Sequence, residues 1–433
     1  MEKLRYGYNK EQYKKFNSHA WRYLLLFSFL YCAHYCTRLN LGNAQVAMTE
    51  FTSGEIGIIT SALFWSYGIG HLINGRLGEI VGVRKFIILS VILSVVTNFI
   101  MGFQSTVWIM AVLWGLNGFF QSMAWSPGVS SLNTWWPSDK RGFSIGFADA
   151  FSGFGQVAAT LMVALSFAVL PQFGWRSAFY VPAILPILLV IIFAIFAKSG
   201  PKAIGLEEYK EVDEEKEAQE AEMKKIVAEK GALYPYFYFF KNPTFIIAMF
   251  IVFSTGIARY GLVTWIPKYL KEVANLGPVV SLLTSTILPI GMGIGTLVVP
   301  TLTDKFCPNN RLLAGVISGI CAAICIVGFI LLEPAGIQFY IMMVLLFLAG
   351  FFIYAISGVV WAFSADVGGR VFASTASGIL DWAAYMGASV QAFIYGSILE
   401  NGNWNILFIS IAAFCIMIAI ISFISANLKK KKA

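Results

Sequence analysis

Apolar stretches recur along the whole chain, separated by short polar loops. Each runs for roughly twenty residues, which at helical rise matches the hydrocarbon core of a bilayer, about 30 Å thick. The pattern predicts membrane-spanning helices near 22–48, 55–75, 86–104, 106–132, 142–170, 177–197, 244–267, 279–303, 312–332, 337–365, 371–398 and 404–427. Between Lys198 and Lys241 it gives way to a charged stretch that includes Glu207, Glu208, Glu211, Asp213, Glu214 and Glu215. This stretch reads as a solvated tether, partly helical from about Glu207 to Lys230. The predicted organisation is an N-terminal segment 1–19, a six-helix bundle 20–197, a connector 198–243, a second six-helix bundle 244–428 and a basic tail 429–433.

Composition agrees with lipid as the solvent. The 433-residue chain is 58% hydrophobic and 12% charged, with a mean hydropathy of +0.72, a balance no soluble domain of this size carries on its surface. Met1 to Phe16 is polar and basic and the first apolar run lacks a small-residue cleavage site, so the first span is expected to stay. Arg76, Arg84, Lys85, Lys140, Arg141, Lys305, Arg311, Arg370 and Lys429 to Lys432 fall on one side of the predicted spans. Glu50, Glu55, Glu333 and Glu400 fall on the other, where Arg176, Lys268 and Lys271 are the exceptions. The positive-inside rule then places both termini in the cytoplasm of a multi-pass plasma (inner) membrane protein. The net charge of +8 is an orientation signal, and no soluble basic module supports a nucleic-acid partner.

Other chemistries find little footing. Cys32 and Cys36, like Cys321 and Cys325, sit one helical turn apart, but no histidine or carboxylate completes a metal site in sequence, and packing is the better account. There is no phosphate-binding loop ending in Gly-Lys-Ser/Thr and no nucleophile elbow, which argues against an enzyme, a cofactor or an ATP-driven pump. Gly291, Gly293 and Gly295 lie in an apolar run and read as close helix packing.

The two halves repeat each other. Arg259 follows Arg38 by 221 positions (259 − 38), each in the first span of its half. The loop Gly75-Arg76-Leu77-Gly78-Glu79 with Arg84 is echoed by Pro300 to Lys305 with Arg311, Asp304 standing for Glu79. Gly118-Phe119-Phe120 recurs as Gly350-Phe351-Phe352, and Asp149 with Gly155 recurs as Asp381 with Gly387.

A charge at the bilayer centre costs roughly 2.5–3.5 kcal/mol on insertion scales and marks a functional site. Arg38 lies sixteen positions past Arg22, roughly 24 Å along a helix and too deep to snorkel easily. Arg259 is as deep in the seventh span. Both are expected to face the interior, one from each half, and two guanidinium forks over one cavity imply a multiply charged oxyanion. The alternative is that each pairs with a carboxylate such as Asp149 or Asp381.

Two bundles of six helices around a long central loop resemble the major facilitator superfamily, whose charge-pair latch at one end Glu79, Arg84 and Asp304 would supply. Finer motifs resemble the organophosphate:phosphate antiporter family: Tyr31, Tyr35 and Arg38 in the first span, Asn117 to Pro127 with Trp135-Trp136 in the fourth, and Arg259 to Glu272 in the seventh. The resemblance covers nearly the whole chain. It implies that Arg38 and Arg259 bind phosphate with Tyr35 and Tyr31 beside them and with His71, Gln121 and Trp125 lining the site. It also implies exchange of an organophosphate (a sugar phosphate, glycerol 3-phosphate or a phosphoglycerate) for inorganic phosphate. The chain has Leu39, His71, Ser152 and Gly256 where such carriers have lysine, lysine, histidine and tyrosine, so a less positive cavity is expected.

His71 reads either as a titratable substitute for the lysine or as a neutral hydrogen-bonding residue. Asp149 and Asp381 read as a pair that holds the arginines in register without substrate, or as an amine site for a zwitterionic substrate. A membrane sensor of external sugar phosphate and a proton-coupled organic-anion symporter are the alternative functions. The exchanger is expected to work as a monomer.

Overall fold

The computed structural model describes residues 6–137, 140–209, 225–226, 229–231, 234–306 and 312–430, and within the helices the side chains of 75–76, 79–80, 141–142, 235, 297, 300–301, 303–306, 312, 357–375, 377 and 427–430 are not described. The described backbone is helical throughout its long elements: α1 Lys10–His34, α2 Asn40–Ala44, α3 Ser53–Val81, α4 Val83–Met101, α5 Val107–Trp135, α6 Arg141–Val169, α7 Ser177–Phe196, α8 Tyr234–Phe240, α9 Pro243–Glu272, α10 Pro278–Ser285, α11 Ile287–Phe306, α12 Leu312–Ile330, α13 Gly336–Glu400 and α14 Trp404–Lys430. Among the described residues ten helical stretches are long and apolar enough to cross a membrane. Two further passes bring the total to the expected twelve. One is α1, whose polar start dilutes its hydropathy.

The other is the second half of α13. A straight helix of its 65 residues would extend about 98 Å, some three times the hydrocarbon thickness. Its ends nevertheless lie on one face: Tyr269 meets both Phe329, at the end of α12, and Trp404, at the start of α14. The run therefore makes two passes. Its second half lies antiparallel to α3, with Thr52 opposite Glu400, Gly57 opposite Ala392, Ser61 opposite Ser389 and Gly68 opposite Met386.

Three predicted boundaries shift, each for a local reason. Helix α1 begins twelve residues before the predicted span because Asn9 and Gln12 form a capping box and Phe16 packs against Trp135 and Tyr209. The first span is not one helix. It tightens into a 3₁₀ turn at Tyr35–Thr37 and restarts at Asn40. The carbonyl of Thr37 freed by the break accepts from Asn98 Nδ2 at 3.0 Å and Asn117 Nδ2 at 2.8 Å. Irregular backbone at membrane depth is tolerable on those terms. The eighth span is likewise divided at Thr286, three residues before Pro289, which has no N–H to continue the ladder.

The repeat read from sequence reappears as a repeat of helix contacts. A Cβ on Gly118 would lie 2.2 Å from the Leu63 carbonyl, and one on Gly350 2.5 Å from the Leu288 carbonyl. A Cβ on Gly155 would lie 2.8 Å from the Cys32 carbonyl, and one on Gly387 2.1 Å from that of Phe253. Each pair joins corresponding spans in the two halves, at backbone separations only glycine permits. Gly291 and Gly295 do the same for α11 against Phe347 and Phe351.

At the face opposite the termini the halves are joined by hydrogen bonds. Lys268 Nζ donates to Ser53 Oγ at 2.5 Å, Thr52 Oγ1 donates to Glu400 Oε1 at 3.1 Å, and Gln45 Nε2 donates to the Thr264 carbonyl. Two of the three exceptions to the charge asymmetry are paired there: Lys268 with Glu272 at 3.6 Å, and Arg176 with Glu50 at 3.8 Å while covering Trp175.

Candidate functional site

Arg38 projects from the break in the first span, and Gln121 of α5 fixes its direction. Gln121 is fully buried: its amide nitrogen donates to the His34 carbonyl, Thr37 Oγ1 and Ser94 Oγ. With its donors committed, its carbonyl oxygen is left to accept Arg38 Nε at 3.2 Å. Gln121 thus positions the guanidinium. The rest of the fork is free, since Arg38 is 2% exposed and neither Nη1 nor Nη2 has a protein hydrogen-bond partner.

The guanidinium is held by aromatic faces. Its carbon lies 4.3 Å from the ring centre of Tyr35, 4.5 Å from Tyr67 and 5.7 Å from Tyr31, contacts worth about 0.5–2 kcal/mol each. Tyr31 in turn packs on Trp125 at 4.7 Å, so Trp125 supports the cage from behind. Arg259, on α9, is arranged in the same way. Its guanidinium lies 4.0 Å from Tyr354 and 4.8 Å from Tyr260, and its Nε and Nη2 are buried without a protein partner.

The two arginines share neighbours. Tyr35 and Tyr385 are each within electrostatic reach of both. Tyr385 donates no bond to either. It accepts from Tyr260 at 3.1 Å, packs on Tyr67 at 4.3 Å and stacks parallel to the His71 ring at 5.9 Å. One guanidinium from each half is therefore held over a common group of six tyrosines, with most of its N–H donors unspent.

The remaining predicted residues fall around this core. His71 Nδ1 meets Ser126 Oγ at 3.0 Å, while its buried Nε2 has no protein partner, so the ring has both an interhelical hydrogen bond and a nitrogen left over. Asp149 is half-buried on α6 within electrostatic reach of Arg259, and Asp381 is half-buried on α13 within reach of Asp149 and both arginines. Neither forms an ion pair with Arg38 or Arg259 among the described residues. Arg84 Nη2 donates to the Ala194 carbonyl in the last turn of α7, a C-terminal capping contact. The side chains of Glu79 and Asp304 lie outside the described residues.

Sequence reasoning passed over Tyr67, Tyr260, Tyr354 and Tyr385. Tyr67 precedes His71 by one helical turn and Tyr385 follows Asp381 by one turn, so the same-face rule applied to those two polar residues would have found them. The departures from the family pattern also have structural reasons. Gly256 stands where α9 touches α13, and a Cβ there would lie 2.0 Å from the Ala384 carbonyl. Ser152 uses its hydroxyl on Tyr354, 3.2 Å away across the two halves.

A small cavity lies beside Arg38, on the side of the face opposite the termini. Its walls come from both halves: Asn43, Thr60, Gln156 and Thr160 from one, Val263, Thr264, Pro267 and Leu288 from the other. A chamber between two related bundles, with a donor fork at its floor, is the layout of a carrier.

The Major Facilitator Superfamily model matches residues 27–390. The chain belongs to that superfamily. A probable hexose phosphate transport protein of Chlamydia pneumoniae is 28% identical over 430 residues, covering 96% of this chain and 92% of the relative. The glycerol-3-phosphate transporter of Bacillus subtilis is 27% identical over 415 residues, covering 93% and 91%. A bacterial homolog of the human lysosomal transporter Spinster, solved inward-facing and unoccupied, shares the fold with a TM-score of 0.74 at 15% identity, covering 94% of this chain and 97% of that one. This member is thus a multi-pass membrane protein of twelve helices in two pseudo-symmetric bundles.

Proposed function

We propose that this protein exchanges an organophosphate for inorganic phosphate across the plasma (inner) membrane by alternating access, as a monomer with both termini in the cytoplasm. The observation that carries the reading is the pair of buried guanidinium groups, one per half, whose unspent N–H donors converge on one tyrosine-lined centre. Planar forks with free donors suit phosphate oxygens, and a single chain supplies both. The relatives named for hexose phosphate and glycerol 3-phosphate transport point the same way.

Electrostatics explains why exchange is preferred to one-way movement. Two like charges at a separation of about 10 Å repel by about 1.7 kcal/mol at an effective dielectric of 20, and closure of the halves would strip hydration from both guanidiniums. A phosphate dianion reverses that cost, so the loaded carrier rocks between its two openings and the empty one lags. Asp149 and Asp381, near the arginines but unpaired with them, are placed to offset part of the charge while the site is empty. The bundles 20–197 and 244–428 would be the rocking bodies, with the connector 198–243 as their tether.

The test is counterflow in proteoliposomes. Radiolabelled phosphate should enter vesicles preloaded with phosphate at least tenfold faster than phosphate-free vesicles. Equal rates into both would overturn obligatory exchange. Binding of phosphate with no counterflow would identify a sensor, and acceleration by a proton gradient in phosphate-free vesicles would identify a symporter.

A further inference from the structure

The cavity beside Arg38 contains polar atoms that phosphate recognition leaves unused. Gln156 of α6 is 1% exposed and lines the chamber, yet neither its amide nitrogen nor its amide oxygen has a protein hydrogen-bond partner. Thr60 of α3, 5% exposed, lines the same chamber with an unpartnered hydroxyl. A buried amide with neither end satisfied carries an unrelieved desolvation cost, which a ligand supplying the missing partners removes. Their neighbours are not in that condition. Asn43 donates to Thr160 at 3.2 Å, and Thr160 donates to the Gln156 carbonyl at 3.1 Å. These bonds fix α2 against α6 and leave the Gln156 side chain as the available group.

From these atoms we propose that Gln156 and Thr60 form a second subsite, which reads the hydroxyls of the cargo's organic part while Arg38 and Arg259 hold its phosphate; the inference rests on the exchange reading above. An amide and a hydroxyl are neutral, and each both donates and accepts, which matches the two-way hydrogen bonding of an alcohol. Among the described residues Arg38 is the one charged residue lining the chamber. A second acid group there would have to pair with neutral partners far from any further cation, at a high desolvation cost. The facing wall is mostly apolar, with Val263, Ile266, Pro267 and Leu288 beside Thr264 and Ser285, and suits the C–H side of a carbon skeleton. The chamber therefore selects a hydroxylated, singly phosphorylated carbon chain over a phosphorylated carboxylic acid. The hydroxylated end points toward the face opposite the termini, since Gly42, Asn43 and Pro267 lie beyond the two arginines along their helices.

The experiment is displacement of radiolabelled phosphate counterflow by unlabelled competitors, in wild type, Gln156→Met and Thr60→Val. In wild type, glycerol 3-phosphate or glucose 6-phosphate should compete at least tenfold better than propyl phosphate or 3-phosphoglycerate. Gln156→Met should weaken the hydroxylated competitors about tenfold or more while changing inorganic phosphate and propyl phosphate by less than twofold. Thr60→Val should act in the same direction by about threefold, and it serves as the independent variant if Gln156→Met fails to reconstitute. Equal weakening of all competitors, or no change for the hydroxylated ones, would overturn the subsite while leaving phosphate exchange standing. A wild type that exchanges no phosphate would strike the exchange reading itself.

Discussion

Replacing Arg38 by lysine keeps the charge and removes the fork. The wild-type guanidinium commits Nε to Gln121 at 3.2 Å and leaves Nη1 and Nη2 free in a fixed plane. A lysine ammonium is a point donor on a flexible stem, and it cannot satisfy the Gln121 oxygen and present two parallel donors to one phosphate. At least one charge-assisted hydrogen bond to the anion is lost, worth about 1.5–3 kcal/mol. That corresponds to about a 10- to 150-fold fall in phosphate affinity. The flat stacking over Tyr35 and Tyr67 is also weakened, which lets the cation wander. The assay is radiolabelled phosphate counterflow with Arg38→Lys, with monodisperse elution in detergent as the control for folding. An Arg38→Lys carrier within twofold of wild type would show that a bare positive charge suffices, and the fork argument would fail.

Other outcomes follow from the same contacts. Gln121→Leu should lower phosphate affinity at least tenfold without touching the cavity, because Arg38 loses its anchor; an unchanged half-saturation constant would assign Gln121 a purely structural place. Weakening the polar seam opposite the termini with Thr52→Val and Lys268→Met deletes two hydrogen bonds between the halves, worth about 0.5–1.5 kcal/mol each, together with the Thr52 cap on Glu55 and the Lys268–Glu272 pair. It should raise labelling of a cysteine introduced at the cavity-lining position Val263 by an external impermeant maleimide about fivefold or more. Gly295→Ala, whose Cβ would lie 2.0 Å from the Phe351 carbonyl, should lower the detergent melting temperature by several degrees, whereas Gly293→Ala, with open space around it, should leave it unchanged.

Much of this molecule could be read without coordinates, because membrane insertion imposes a strong local rule. A span must be about twenty apolar residues long, so the apolar pattern was enough to number and order the membrane passes. A buried arginine must have a reason, so Arg38 and Arg259 stood out from their depth. The glycine correspondences Gly118 with Gly350 and Gly155 with Gly387 were visible as a repeat, and each proved to mark a close backbone contact. Cap geometry and hydrogen bonds, unlike hydropathy, set the ends and breaks of helices, which is why the start of α1 and the turn at Tyr35–Thr37 escaped the sequence reading.

Tertiary structure alone decided which side chains share the centre. Tyr67, Tyr354 and Tyr385 come from three separate passes, and the local spacing that sets Tyr67 beside His71 and Tyr385 beside Asp381 does not say that the three passes meet. The same holds for orphaned polar atoms. Gln156 and Gln121 are both buried glutamines, one with every donor committed and the other with none. The difference depends on which helices happen to lie within 3 Å, a property of packing across distant segments that no stretch of sequence carries by itself.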